Sequence, residues 1–283
     1  MFIPQSYSLA VILCIVTMLC WGSWGNTQKL AGKTWRFELF YWDYVIGIMI
    51  FSLILGFTLG SIGENGRSFI NDISQAKAGS IINAFLGGVV FNASNILLVA
   101  AMAIAGMAVA FPVGVGIALA LGVIINYIFV PKGDPLLLFS GLALIVAAIV
   151  IDAVAYKKHS AAMKKVSKKG ILLSVSAGVL MALFYRFVAA SMATDFVNPE
   201  PGMLTPYSAV FFFSVGVLIS NLIFNWFIMK KPFEGEPLSF KDYSKGSIST
   251  HLTGMLGGII WNTGMAMSII ASGKAGFAIS YGL

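Results

Sequence analysis

The chain is short of charge: Asp, Glu, Lys and Arg make up 10% of its 283 residues, against about 25% in soluble domains, while 58% are hydrophobic. A water-soluble fold could not be covered by so little polar surface. The scarcity is also uneven, since residues 1–28, 44–63, 78–131, 201–229 and 246–273 hold no Asp, Glu, Lys or Arg. Cysteine is nearly missing. Cys14 and Cys20 are six residues apart in one apolar run, and ~9 Å of helical rise exceeds the ~7 Å Cα separation that a disulfide tolerates. The pair therefore says nothing about redox compartment. Two histidines, His159 and His251, and no H-E-x-x-H, G-x-S-x-G or P-loop pattern argue against an enzyme and against a bound metal or organic cofactor. Alternating ten-residue strands are likewise missing, which leaves helices to satisfy the backbone in lipid.

What is present is a series of apolar runs, each long enough to cross a ~30 Å hydrocarbon core as about 20 helical residues. Spans are expected over 6–25, 37–60, 79–102, 105–129, 135–156, 170–190, 207–229 and 251–271. The first lacks a basic lead and a small-residue cleavage site and reads as a retained helix. Residues 78–131 would extend ~80 Å as one helix, so a tight turn near 103–106 must divide them. A ninth apolar run starts at Ala275 and meets the end of the sequence at Leu283.

An internal repeat accompanies these spans. Shifting LGGVVFNASN (86–95) by 170 residues places it on LGGIIWNTGM (256–265), and the same ungapped shift places AGMAVAF (105–111) on AGFAISY (275–281). The expected fold is thus an all-α integral membrane protein with an inverted repeat of two five-helix halves, a ten-helix transporter fold truncated here after the start of helix nine. Residues 1–157 form the first repeat, 158–169 a basic linker and 170–283 an incomplete second repeat. Alternate loops hold 13 Lys and Arg against 4 in the others. By the positive-inside rule, this puts the N-terminus outside and the basic central loop in the cytoplasm of a plasma or inner membrane. The net charge of +7 then reflects orientation in the bilayer, not nucleic-acid binding.

Inverted repeats place a solute site near the membrane midplane. Asn92 and its repeat mate Asn262 fall halfway along the third and eighth spans, followed by Asn95 and Thr263. Neutral amides offer donors and an acceptor without a buried charge, although asparagine also serves as glue between helices. Trp21, Trp24 and Trp261 are candidates for stacking or gating, beside an aromatic belt as the simpler explanation of WGSWGNTQK (21–29) and WRFELFYWDY (35–44). Glu38 and Asp43 enter the second span by one to two turns. There they are candidates for a gate or for coupling to H+ or Na+, or else bridge to Lys29, Lys33 or Arg36. Pro112 interrupts the fourth span and can kink it toward a cavity. Gly87, Gly88, Gly254, Gly257 and Gly258 mark close helix packing.

WGSWGNTQK, RFELFYWDY, LGGVVFNASN, AGMAVAFPVGVG and LGGIIWNTG together resemble the drug/metabolite transporter superfamily, in particular its ureide permease branch and the related glucose/ribose porters. The resemblance runs from Trp21 to Leu283 and implies ten helices in two inverted halves around a cavity lined by helices three, four, eight and nine. Plant ureide permeases carry a longer central loop with a nucleotide-like motif; here only 157–169 stands in its place. The resulting expectation is a secondary transporter that carries a small polar solute, a sugar or a ureide such as allantoin, by alternating access. A homodimer is compatible with this reading. The competitors are a drug or amphiphile exporter of the same superfamily, whose cavity would be more apolar or hold a deep carboxylate, and a non-transporting receptor or scaffold.

Overall fold

The computed structural model describes residues 1–32, 35–159 and 167–282. Lys33 and most of the basic linker, Lys164 and Lys165 included, lie outside the described residues. Every expected span is a helix, and among the described residues eight helices are long and apolar enough to cross a membrane. In chain order the helices are α1 (Tyr7–Ser23) continued by α2 (Gly25–Leu30), α3 (Phe37–Phe57), a short α4 (Phe69–Gln75), α5 (Ala78–Ala105), α6 (Met107–Phe129), α7 (Pro135–His159), α8 (Lys168–Ser191), α9 (Pro206–Lys230), a one-turn α10 (Phe240–Tyr243), α11 (Ile248–Ala275) and α12 (Phe277–Gly282). The protein is an all-helical integral membrane protein; among the described residues there is no strand.

Local chemistry sets the boundaries. Ser6, Ser167 and Ser247 each accept a backbone N–H in the first turn of the helix that follows, and Pro206 occupies the first turn of α9, where its missing N–H is harmless. The turn expected near 103–106 is a single residue, Gly106, whose φ of 83° lets α6 start at once.

Hydrogen bonds between loops sort them onto two ends of the bundle. Arg36, before α3, donates to the carbonyls of Glu234 and Glu236 after α9, and Lys169 donates to Phe233. At the other end Arg67, before α4, donates to Pro199, Glu200 and Met203 after α8, and Lys132, after α6, donates to Gly273. We call these the Arg36 end and the Arg67 end. It follows that α5 begins at the Arg67 end and α11 at the Arg36 end, so these helices run in opposite directions.

Their bounds differ by the 170 residues seen in the sequence. Positions 81–100 and 251–270 also share one order of buried, half-buried and exposed residues. Their neighbours exchange in the same way. Gly88 of α5 lies against the backbone of Phe213 and Val217 in α9, and Gly258 of α11 against that of Tyr44 and Ile48 in α3. Conversely, Gly216 of α9 meets Phe85 and Gly47 of α3 meets Met255. A side chain at any of the four would hold two helices apart, the close-packing role expected of Gly88 and Gly258. By contrast α7 packs chiefly on α6, and none of its most apolar stretch is buried.

Candidate functional site

At the middle of α5 and α11, Phe91 and Trp261 stack with ring centroids 4.0 Å apart. They are repeat mates at the 170-residue shift. Phe213 lies parallel to Trp261 at 5.8 Å, and Trp21 stacks on it at 6.0 Å while its indole N–H donates to the Trp261 carbonyl at 3.2 Å. Beside this stack is a cavity of about 80 Å³, walled by Trp21, Phe91, Phe184, Trp261 and Tyr281 with Met181. Tyr281 is fixed there by its single O–H, which lies 3.2 Å from the carbonyls of both Ala118 and Met181 and is shared between them. Since a water molecule's share of liquid volume is ~30 Å³, the cavity is no larger than a few waters. A metabolite needs the helices to part.

The asparagines do not line this cavity; each follows or neighbours the aromatic stack and turns into a seam between helices. Asn92 donates to Ser220 of α9 at 2.9 Å, Asn262 to the Ile48 carbonyl of α3 at 2.8 Å, and Asn95 to the Tyr41 hydroxyl of α3 at 3.1 Å. All three side chains are fully buried. Asn225 of α9 makes a fourth such contact, to the Glu38 carbonyl. In every case the N–H₂ is used and the carboxamide oxygen has no partner, and Asn221, between Ser220 and Asn225, has neither of its polar atoms paired. A buried acceptor left unpaired costs about 1–3 kcal/mol, so a band of them along α5, α9 and α11 is a standing demand for donors.

The remaining candidates are placed elsewhere. Thr263 returns its hydroxyl to Ile259 in its own helix. Trp24 tilts over Tyr44 at 5.0 Å. Pro112 faces a groove of about 340 Å³ between α6 and α7, away from the aromatic cavity. Of the two carboxylates, Glu38 takes the bridge expected for it, with Arg36 at 2.5 Å. Asp43 takes a different one: His251 donates to it from 2.9 Å and the Tyr243 hydroxyl from 2.5 Å. Gly254, one turn along α11 from His251, leaves room for Asp43 to lie against that helix. Burial and then the Asp43 carboxylate push the Tyr243 phenol up, which keeps it a donor.

The Arg67 end has its own buried carboxylate, Asp72 of α4. It accepts from Arg67 at 2.8 Å, from the Thr205 amide at 2.7 Å, from the Thr205 hydroxyl at 2.9 Å and from Ser208 at the start of α9. Nearby, Thr194 holds Glu200 below the usual carboxylate range, and the Val197 amide does the same for Asp195. Sequence reasoning missed Phe91, Phe184 and Tyr281, which look like ordinary apolar positions, and the trio of His251, Tyr243 and Asp72. The repeat itself held the signal for Phe91, as the mate of Trp261.

Helices that run through lipid, a polar and aromatic interior at mid-depth, and a clasp at each end define a polytopic membrane protein of the kind that handles small solutes. Residues 40–169 match the family model described as ureide permease. Ureide permease 3 of Arabidopsis thaliana is 24% identical over 274 residues, which is 86% of this chain and 79% of that protein. Ureide permease 1 of the same plant is 25% identical over 163 residues, 57% of this chain, and ureide permease 2 is 25% identical over 165 residues, 56% of this chain. The aligned part spans 42% of the length of each of these last two.

Proposed function

We propose that the protein is a secondary transporter of a ureide such as allantoin, working by alternating access between the Arg36 and Arg67 ends. The observation that carries this is the set of unpaired carboxamide oxygens of Asn92, Asn95, Asn221 and Asn262, buried in the seams beside the aromatic stack and brought to its cavity when the helices part. A ureide presents N–H donors around a flat amide plane: the donors satisfy the asparagine oxygens, and the plane stacks on Phe91 and Trp261. A sugar supplies hydroxyl donors but no flat amide plane to lie on the aromatic rings. The similarity to proteins named ureide permeases favours the same solute over a drug or amphiphile.

In this reading the halves are related by a twofold axis in the membrane plane that passes between Phe91 and Trp261. The antiparallel course of α5 and α11 and their exchanged glycine contacts support it. The Arg36 end, with Lys169, Lys230, Lys231, Lys241 and Lys245, is cytoplasmic by the positive-inside rule. Glu38, held by Arg36, belongs to the gate on that side. The test is uptake of labelled allantoin and labelled glucose into proteoliposomes. Wild type is expected to accumulate allantoin saturably under an imposed H+ or Na+ gradient, and Asn92→Ala and Asn262→Ala to lose most of that flux. Equal uptake in both variants, or a preference for glucose, removes the assignment.

A further inference from the structure

One buried carboxylate at the Arg36 end joins four separate parts of the chain. Asp43, on α3, is fully buried. His251 reaches it from α11 and Tyr243 from α10, and Trp35, in the loop before α3, meets the His251 ring edge-on at 5.3 Å. The other charged groups of the surrounding elements are engaged or in solvent. Glu38 of α3 is bound by Arg36, Asp242 of α10 by Lys245, and Lys29 of α2, Lys230 of α9 and Lys241 of α10 are exposed. Among the described residues, His251 is therefore the single ionisable cation that touches Asp43.

We propose that Asp43, His251 and Tyr243 form a proton-operated latch that shuts the Arg36 end. With one proton shared between acid and base, the shut state holds a carboxylate and an imidazolium, and the pair is neutral. When the imidazolium gives its Nε2 proton to water, Nδ1–H still donates to Asp43, but the buried pair is left with a net negative charge. Burying such a charge is expensive. The end then relaxes toward the state in which water reaches Asp43, so α11 and α10 part from α3. Histidine as a residue type changes charge between pH ~5 and ~8. The latch is shut on the acidic side of that range and loosens as the pH rises. For its consequence, gating of solute flux, the inference rests on the transport reading; for its test it does not.

The test reads access to a residue behind the latch. Thr27 of α2 is buried against Gly257 of α11, one turn below Gly254, while Lys29, in the last turn of α2, is exposed at the same end. In a Cys14→Ala, Cys20→Ser background, Thr27→Cys and Lys29→Cys are labelled with a membrane-impermeant maleimide. The ratio of their rates cancels the intrinsic pH dependence of thiol chemistry. The ratio is expected to rise roughly threefold or more between pH ~6 and ~8. With His251→Gln added it should be high and flat. As a second measurement that needs no new cysteine, the Trp35 share of the emission, taken as wild type minus Trp35→Phe, should brighten over the same pH range as imidazolium quenching is lost. His251→Gln should abolish that change. A flat labelling ratio in the otherwise unaltered latch, or a pH response that survives His251→Gln, overturns the latch whether or not the protein carries any solute. A protein that shows the response but no flux leaves the latch standing and removes the transport reading.

Discussion

The two ends of the bundle are closed by the same device with different chemistry. At each, a short helix in a polar loop is tied through a buried carboxylate to the end of a spanning helix. At the Arg67 end the acid, Asp72, sits on the loop helix and takes donors from Thr205, Ser208 and Arg67. At the Arg36 end the acid, Asp43, sits on the spanning helix and takes donors from Tyr243 and His251. The guanidinium keeps its charge at any physiological pH, whereas the imidazole does not. Similar scaffolds thus carry one fixed closure and one that responds to protons.

The largest way to break this comparison is to remove the fixed closure. Asp72→Ala leaves Arg67 and four further donors, from Gln75, Thr205 and Ser208, facing a void, and taking away one partner of a buried pair costs about 3–5 kcal/mol. Thermal unfolding in detergent should fall further for this substitution than for any of those that follow. Next come Gly88→Ala and Gly258→Ala, each of which drives a methyl into the backbone of the opposing helix. Overpacking of this kind costs ~1–3 kcal/mol, and losses of similar size at both positions would support matched roles, while a large loss at one alone would argue against them. His251→Ala should cost about 1.5–3 kcal/mol, the worth of a hydrogen bond to a charged group. The smallest effect belongs to Lys245→Ala. Its partner Asp242 is held down to about 2 by the Lys245 and Ser239 contacts, but the pair is exposed, and the melting temperature at neutral pH should not move.

The spans, their number and the 170-residue register were legible because lipid imposes long uncharged runs and because Gly-Gly and Asn recur in one frame. The asparagine pair was legible too, since an amide at mid-span stands out against apolar neighbours. The direction in which those amides turn was not: whether Asn92 faces a cavity or a seam depends on α9, whose Ser220 lies 128 positions away. The latch was hidden for the same reason. His251 is 208 positions from Asp43, and a histidine at a helix start in a basic region reads as a loop residue until the fold brings α11 against α3. The short helices α4 and α10 escaped because seven and four residues are too few for a periodic signal inside polar segments.

The glycine joints carry one more consequence. α5 ends on Gly106 and α11 on Gly276, with φ of 83° and 87°, and in each case the next helix begins at the following residue. A joint of one residue has no slack. Each 28-residue helix and its successor must pivot together, like two arms of a lever whose fulcrum is a single α-carbon. A small tilt imposed on α11 by the chemistry around Asp43 would reach the opposite membrane face, through Gly276, as a displacement of α12. Replacing that glycine with any L-residue would strain the joint by ~1–3 kcal/mol, since φ 87° with ψ 155° is a region essentially reserved for glycine, and would do so without touching either clasp.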